Sequence, residues 1–239
     1  MADYQSEVQK VKEKIVEVIA VLDRQNLFEM STGHVSARVP GSDQICILGH
    51  VHHDGRRLDT VTVEDIVTMD SQGNLVEGST NPPGEKYIHT EIYAVRPDVQ
   101  AVVHCHPRLA TAFSVAGVEI LPVSFRGSIF APRVPIHENP AQIDTADQGA
   151  AVARTLGDGY AALLRGHGVV TVGQSLEEVC SVTIALEVTA DTQLLASLIG
   201  KPRVIPEEQL DGKFVKGMTP EEYFSIAWSF YAGETRQRR

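Results

Sequence analysis

The chain has 239 residues, 43% hydrophobic and 22% charged, and its 21 Lys and Arg against 31 Asp and Glu leave a formal charge of −10. That length can bury a full core, while the acidic balance argues against a nucleic-acid or anionic-membrane surface. No apolar run reads as a transmembrane span, residues 1–25 are too charged for a signal peptide, and three widely spaced cysteines (Cys46, Cys105, Cys180) suit reduced thiols in the cytoplasm.

Val8, Val11, Ile15, Val18, Ile19 and Leu22 recur at helical spacing, which predicts an amphipathic helix over residues 4–25. After the turn at Ser31-Thr32-Gly33 comes an alternating strand, with His34, Ser36 and Arg38 on one face and Val35, Ala37 and Val39 on the other. Its polar face reads either as solvated or as substrate-facing. Residues 44–48 supply the paired strand. His50, His52 and His53 crowd into four positions before Arg56 and Arg57, and this stretch reads as a substrate-facing loop. Val61 to Met69, turning at Ser71-Gln72-Gly73-Asn74 into Leu75-Val76, reads as a hairpin.

Asn81-Pro82-Pro83-Gly84 is a rigid turn, and Glu85 opens a helix carrying Ile88, Ile92 and Val95 on one face until Arg96-Pro97 stops it. A Glu in a first helical turn ordinarily serves the helix dipole. This helix, however, feeds the Val-rich strand Ala101-Val102-Val103-His104-Cys105, so Glu85 can reach that strand's end as ligand or proton carrier. His104 and His106 fall one alternation apart and share a face, with Cys105 pointing away. A bare H-x-H is a weak signal.

A helix is expected from Pro107 to about Ala116, then short strands at Leu121–Val123 and Ser128–Phe130 with Arg126 between them, then a helix over Asp144–Leu156. Further on, Gly166-His167-Gly168 interrupts two apolar extended pieces, and the glycines let the backbone bend sharply and approach something bulky. With His104 and His106, His167 completes three imidazoles, the set that catalytic zinc sites use while leaving a coordination position open. Ser175 through Glu178 forms a capping box for a long helix to about Ile199, with Val179, Val182, Ala185, Leu186 and Leu194 as its core stripe. Thr219-Pro220-Glu221-Glu222 opens a last helix, residues 219–232, so rich in aromatics that it must dock on the chain's own core or on another subunit.

Taken together, these pieces resemble the class II aldolase/adducin superfamily over nearly the whole chain. The resemblance rests on Gly33-His34-Val35-Ser36-x-Arg38, Gly84-Glu85, Arg96-Pro97-Asp98, Ala101 through His104-x-His106-Pro107, and Gly166-His167-Gly168. It implies an α/β fold, a three-layer α/β/α sandwich around a largely antiparallel sheet, as a single domain over residues 1–239. It also implies a homotetramer with sites at subunit interfaces, and one divalent metal ion per subunit on His104, His106 and His167. Glu85 falls where the family has its acid/base carboxylate, which can also touch the metal. Zn2+ and Mn2+ are expected; Fe2+ and Co2+ accept the same donors.

Departures from the family pattern bear on the substrate. Sugar-phosphate aldolases of this group bind phosphate through Gly-Asn-x-Ser, a Thr-Pro-Thr-Gly loop and Ser-Ser before the Glu. Here those places hold Gly33-His34-Val35-Ser36, Ile47-Leu48-Gly49-His50 and Pro83-Gly84, so most phosphate donors are gone. The candidate substrate contacts are His34, Ser36, Arg38, His52, Arg126 and Tyr223, suited to a carboxylate or phenolic oxygen, with His50 sharing proton transfer with Glu85. The resemblance therefore implies a metal-dependent lyase acting on a small molecule through a stabilised enolate, closer to decarboxylases of hydroxylated acids such as dihydroxyphthalate than to the sugar-phosphate aldolases. The competing readings are an aldolase or epimerase on a sugar or sugar phosphate, an oxygenase on the same scaffold, and a non-catalytic adducin-like interaction module.

Overall fold

A computed structural model describes residues 2–50, 57–209 and 219–236. In chain order the regular elements are α1 (Ala2–Arg24), β1 (His34–Arg38), β2 (Ile45–Leu48), β3 (Ile66–Met69), β4 (Leu75–Glu77), α2 (Lys86–Val95) and β5 (Ala101–Cys105). They continue with α3 (Arg108–Ala116), β6 (Ile136–His137), α4 (Ala146–Leu156), β7 (Ala161–Leu164), β8 (Gly168–Gly173), α5 (Leu176–Ile199) and α6 (Pro220–Arg236). The strands form one sheet in the order β4-β3-β2-β1-β5-β8-β7-β6. Every pair is antiparallel except β6 with β7.

Strand alternation splits the core in two. Val35, Cys46, Val103, Cys105 and Val169 face one side, where Ile15, Ile19 and Leu22 of α1, Val182 and Leu186 of α5, and Phe224 and Trp228 of α6 cover them. Ile45, Ile47, Val102 and Val170 face the other side, under Ile88 and Ile92 of α2 and Val152 and Leu156 of α4. The result is the α/β/α sandwich implied by the resemblance. The caps act as their residue types dictate: Thr145 and Ser175 accept the amides of Gln148 and Glu178 at the starts of α4 and α5.

Several expectations are corrected. The segment expected as a strand at Ser128–Phe130 is a 3-10 turn over Arg126–Phe130, and near Leu121–Val123 only an isolated bridge joins Ile120 to Val134. Residues 58–65 make two short 3-10 turns, so the hairpin strand starts only at Ile66. Val95 and Leu194, expected on buried helix faces, are exposed. Finally, α5 is long and apolar enough to cross a membrane by length and composition. Its buried residues from Leu176 to Gln193 show why: it is apolar on several sides because it is packed between the sheet, α1, α3 and α6.

Candidate metal centre and its polar backing

Register places the first histidines. β1 pairs with β5 so that His34 lies opposite His104, on the α2/α4 side of the sheet. His104 is fully buried, and its Nδ1 is 2.9 Å from the Val169 carbonyl. A carbonyl only accepts, so Nδ1 carries a proton and Nε2 is the nitrogen turned to the site. His106, one residue beyond β5, is held by Thr32. The Thr32 hydroxyl donates its one hydrogen to the Glu29 carbonyl at 2.6 Å. The same oxygen, 2.9 Å from His106 Nδ1, can then only accept, and the Thr32 carbonyl at 3.3 Å accepts as well. His106 Nδ1 is thus the protonated nitrogen, and its Nε2 keeps a lone pair.

His167 sits in the tight turn between β7 and β8, whose Leu164 and Gly168 are paired. Its amide donates to the Leu164 carbonyl, and the Gly166 amide donates to Ser114 Oγ. The rings of His104, His106 and His167 make a triangle with centroid separations of 4.8, 4.9 and 5.3 Å. Each offers one nitrogen within 4.8 Å of the others. Burial first, then the neighbouring imidazoles, hold His106 down to about 3 and lower His167. Both are therefore neutral imidazoles at physiological pH, the form that ligates metal.

Glu85 stands at the N-terminus of α2 and faces this triangle. Its Oε2 is 3.4 Å from His104 Nε2 and its Oε1 is 3.5 Å from His167 Nε2, while the Ile143 amide donates to Oε1 at 3.3 Å. Burial alone would raise this carboxyl; His104, then His167 and the Ile143 amide outweigh it and hold it at about 2. With Nδ1 of His104 already protonated, Nε2 meets the carboxylate either through a second proton or through a cation. His104 Nε2 and His167 Nδ1 are also buried without a hydrogen-bond partner among the described residues. A buried orphan costs about 1–3 kcal/mol. A divalent cation fits this donor set, with His104, His106 and His167 to hold it and an anionic carboxylate beside it.

Other sequence candidates fall elsewhere. His34 shares a second cluster with Glu85 and His104, their ligand atoms within 4.8 Å of one another. Ser36 is buried behind it, 2.7 Å from His89 Nδ1 and 2.8 Å from the Tyr93 hydroxyl. The β1 face read as either solvated or substrate-facing is turned against α2 at Ser36 and Arg38. The Arg38 side chain donates to the Val99 and Tyr93 carbonyls at 3.0 and 2.6 Å and lies over the Tyr93 ring. It braces the sheet against α2 through its Nε and one terminal nitrogen. Arg126 and Tyr223 share a different cavity, with Ile226, Phe230 and Tyr231 of α6, that no histidine lines. His50 is exposed just past β2, its amide bonded to the Asn81 carbonyl. His52 and the rest of residues 51–56 lie outside the described residues.

Sequence reasoning missed His89, Tyr93 and Thr32. His89 is fully buried, with Nε2 2.6 Å from His34 Nδ1. The available signal was spacing: Glu85, His89 and Tyr93 recur every fourth residue along α2, a polar stripe beside the apolar pair Ile88 and Ile92.

The profile of the Class II Aldolase and Adducin N-terminal domain matches residues 13–194. Among characterised proteins, the chain is 29% identical over 199 residues to 3,4-dihydroxyphthalate decarboxylase of Arthrobacter keyseri, covering 79% of each. It is 34% identical over 152 residues to the decarboxylase NovR of Streptomyces niveus, covering 62% of this chain and 56% of that one. Among solved structures, the L-fuculose 1-phosphate aldolase from Glaciozyma antarctica PI12 superposes with a TM-score of 0.84 at 23% identity, over 99% of this chain and 92% of that one. That last likeness speaks for the fold alone.

Proposed function

The chain belongs to the class II aldolase and adducin family, and from that premise we propose that this enzyme is a divalent-metal-dependent lyase that decarboxylates a hydroxylated aromatic acid carrying no phosphate. The observation that carries this reading is the Glu85 carboxylate set between His104 and His167, on the edge of three convergent imidazoles. The decarboxylases among its relatives support the reaction type. The loss of most of the hydroxyl and amide phosphate donors supports an unphosphorylated substrate.

A cation on His104, His106 and His167 supplies electrostatic stabilisation of the negative charge that collects on substrate oxygen. The chain's own residues do the rest. Glu85 is ionised at neutral pH and enters as a base. It takes the proton of a substrate hydroxyl and returns it to the ring carbon that bears the carboxylate. That delivery regenerates the Glu85 carboxylate, and carbon dioxide then leaves with its bond electrons returning to the ring, which yields a phenolate. Thr32 and the Val169 carbonyl hold the His106 and His104 rings in the ligating tautomer throughout.

The assembly proposal is a homotetramer with sites at its interfaces. Its support is apolar surface left open at Leu198 and Ile199 of α5 and at Ile226 and Phe230 of α6. The whole chain is taken as one domain, since Phe224 and Trp228 of α6 enter the core shared with α1 and α5. Three free buried thiols fit the cytoplasm.

The test is to load the protein anaerobically with Zn2+, Mn2+, Fe2+ or Co2+ and screen hydroxybenzoates and dihydroxyphthalates for released carbon dioxide, with sugar phosphates alongside. Glu85→Gln should keep the metal and lose turnover by about 10²–10⁴-fold. Full activity in that variant removes Glu85 from the reaction, and an aldehyde from a sugar phosphate replaces decarboxylation with aldol cleavage.

A further inference from the structure

Behind the site, the buried groups His34, His89, Ser36 and Tyr93 form a continuous column of close polar contacts at 2.6, 2.7 and 2.8 Å. Each contact needs one hydrogen between two heavy atoms, and the supply of hydrogens is fixed. Tyr93 is 4% exposed, and burial pushes its phenol up, so it keeps its proton. Ser36 Oγ lies within hydrogen-bonding distance of that hydroxyl, and a buried O–H left without an acceptor is costly. The phenol therefore donates to Ser36 Oγ.

Ser36 has a single hydrogen of its own, and it donates that to His89 Nδ1. His89 is wholly buried and has no carboxylate against it in the column, so it is a neutral imidazole with one proton. With Nδ1 accepting, that proton sits on Nε2 and is donated to His34 Nδ1. With His34 Nδ1 accepting, Nε2 is the ring nitrogen left to carry hydrogen. Running the column the other way would leave the Tyr93 hydroxyl hydrogen with no acceptor among the described residues.

We propose that Tyr93, Ser36 and His89 form a one-way hydrogen-bond column that fixes His34 as an Nε2–H donor, so that His34 serves the site by donating to an anionic substrate oxygen and not by ligating the metal. Two overlapping clusters, His104–His106–His167 and His34–Glu85–His104, compete for a cation in the geometry alone. The column decides between them, because a nitrogen that carries hydrogen has no lone pair to give. His89, Ser36 and Tyr93 are positioning residues, since they touch the reaction only through His34. The substrate half of this inference rests on the decarboxylase reading; the tautomer half does not.

The experiment is multiple-bond 1H–15N correlation on the full chain labelled with 15N-histidine and loaded with Zn2+. The His34 signals are identified by their loss in His34→Gln and by their shift in Ser36→Ala. The expected spectrum shows His34 protonated at Nε2 and bare at Nδ1, and Tyr93→Phe, which removes the column's first donor, should release a mixture of tautomers. Adding 3,4-dihydroxybenzoate should move the His34 Nε2–H resonance. In parallel, calorimetry should give His34→Gln a Zn2+ affinity within about twofold of the parent chain, where His106→Gln loses tenfold or more. A His34 protonated at Nδ1, or a His34→Gln loss of Zn2+ affinity matching that of His106→Gln, overturns the proposal. An Nε2–H signal indifferent to saturating 3,4-dihydroxybenzoate overturns the donor role. The tautomer is read on the parent chain, and either folded variant, His34→Gln or Ser36→Ala, suffices to assign the signal. A protein that releases no carbon dioxide but shows the Nε2–H form would sink only the decarboxylase reading.

Discussion

The two glycines flanking His167 make a matched pair of perturbations with opposite expected consequences. Gly166 has φ +66°, yet a Cβ built there would meet only Val115 Cγ2, at 3.9 Å. Gly166→Ala should therefore cost about 1–2 kcal/mol of stability for the left-handed backbone and leave the site's geometry alone. At Gly168 the problem is space. A Cβ there would lie 2.4 Å from the Cys105 carbonyl oxygen and 2.7 Å from Cδ2 of the His106 ring. To reach ordinary contact the ring must retreat by about 0.7 Å, beyond the ~0.5 Å within which a preorganised site works. The carbonyl, fixed in the β5–β8 ladder, cannot retreat at all. Gly168→Ala should thus cost about 1–3 kcal/mol of stability for the overpacking and a further 10–100-fold in Zn2+ affinity through the displaced ligand. Calorimetric Zn2+ titration separates these effects from stability, measured by urea unfolding of the metal-free chains. Parent-like Zn2+ binding by Gly168→Ala, or equal losses in both variants, would refute the claim that His106 is a ligand held in place by this close backbone approach.

Further tests follow from the same geometry. Thr32→Val removes one acceptor of the His106 Nδ1 proton while the Thr32 carbonyl remains; Zn2+ affinity should fall about tenfold, and an unchanged isotherm would show that Thr32 does not set that tautomer. Burial holds His89 at about 3 against its ordinary 6.5, so below pH 6.5 the unfolded chain binds a proton that the folded one refuses. This contribution is absent as a penalty above pH 6.5 and grows by about 1.4 kcal/mol per pH unit as pH falls toward 3. Urea unfolding of the metal-free chain between pH 7.5 and 5 should show about 2 kcal/mol more acid loss in the parent than in His89→Gln; identical slopes would mean that His89 is protonated in the fold. Phe224, 2% exposed on α6 with Tyr160 beside it, should cost about 3–5 kcal/mol when cut to Ala, and a near-neutral result would mean that α6 is not part of the cooperative core.

The histidines on strands and bends were legible because their signals are local. Alternation alone puts His104 and His106 on one side of β5 with Cys105 on the other, and Gly-His-Gly between two apolar runs marks a bend whatever surrounds it. The capping box before α6 is likewise complete within four residues, whereas before α5 only its Ser175 half forms, the Glu178 carboxylate accepting instead from the Gln174 amide. What escaped needed a partner from elsewhere in the chain. Arg38 looks like an anion binder until Val99 and Tyr93 take up its guanidinium. Ser128–Phe130 is apolar enough for a strand, but no neighbouring strand offers it a ladder. His89 was invisible because Ile88 and Ile92 already account for a buried helix face, and nothing local says that a second, polar stripe is buried too.

That second stripe is intelligible once α2 and β1 are considered as facing rulers. Alternate residues on a strand advance about 6.7 Å, and every fourth residue on a helix advances about 6.0 Å. A strand pattern His34, Ser36, Arg38 can therefore mesh with a helix pattern Glu85, His89, Tyr93 for a few rungs before the two drift apart. His34 and Ser36 bracket His89, Ser36 also reaches Tyr93, and by the third rung the offset has grown to more than an ångström. There the sequence has Arg, long enough to span the mismatch and reach both the backbone and the ring of Tyr93. A short polar side chain at position 38 would leave the Tyr93 and Val99 carbonyls without these donors. On this view Arg38 is what lets the rigid end of the ladder, with Glu85 and His34 at the metal side, sit in one register only.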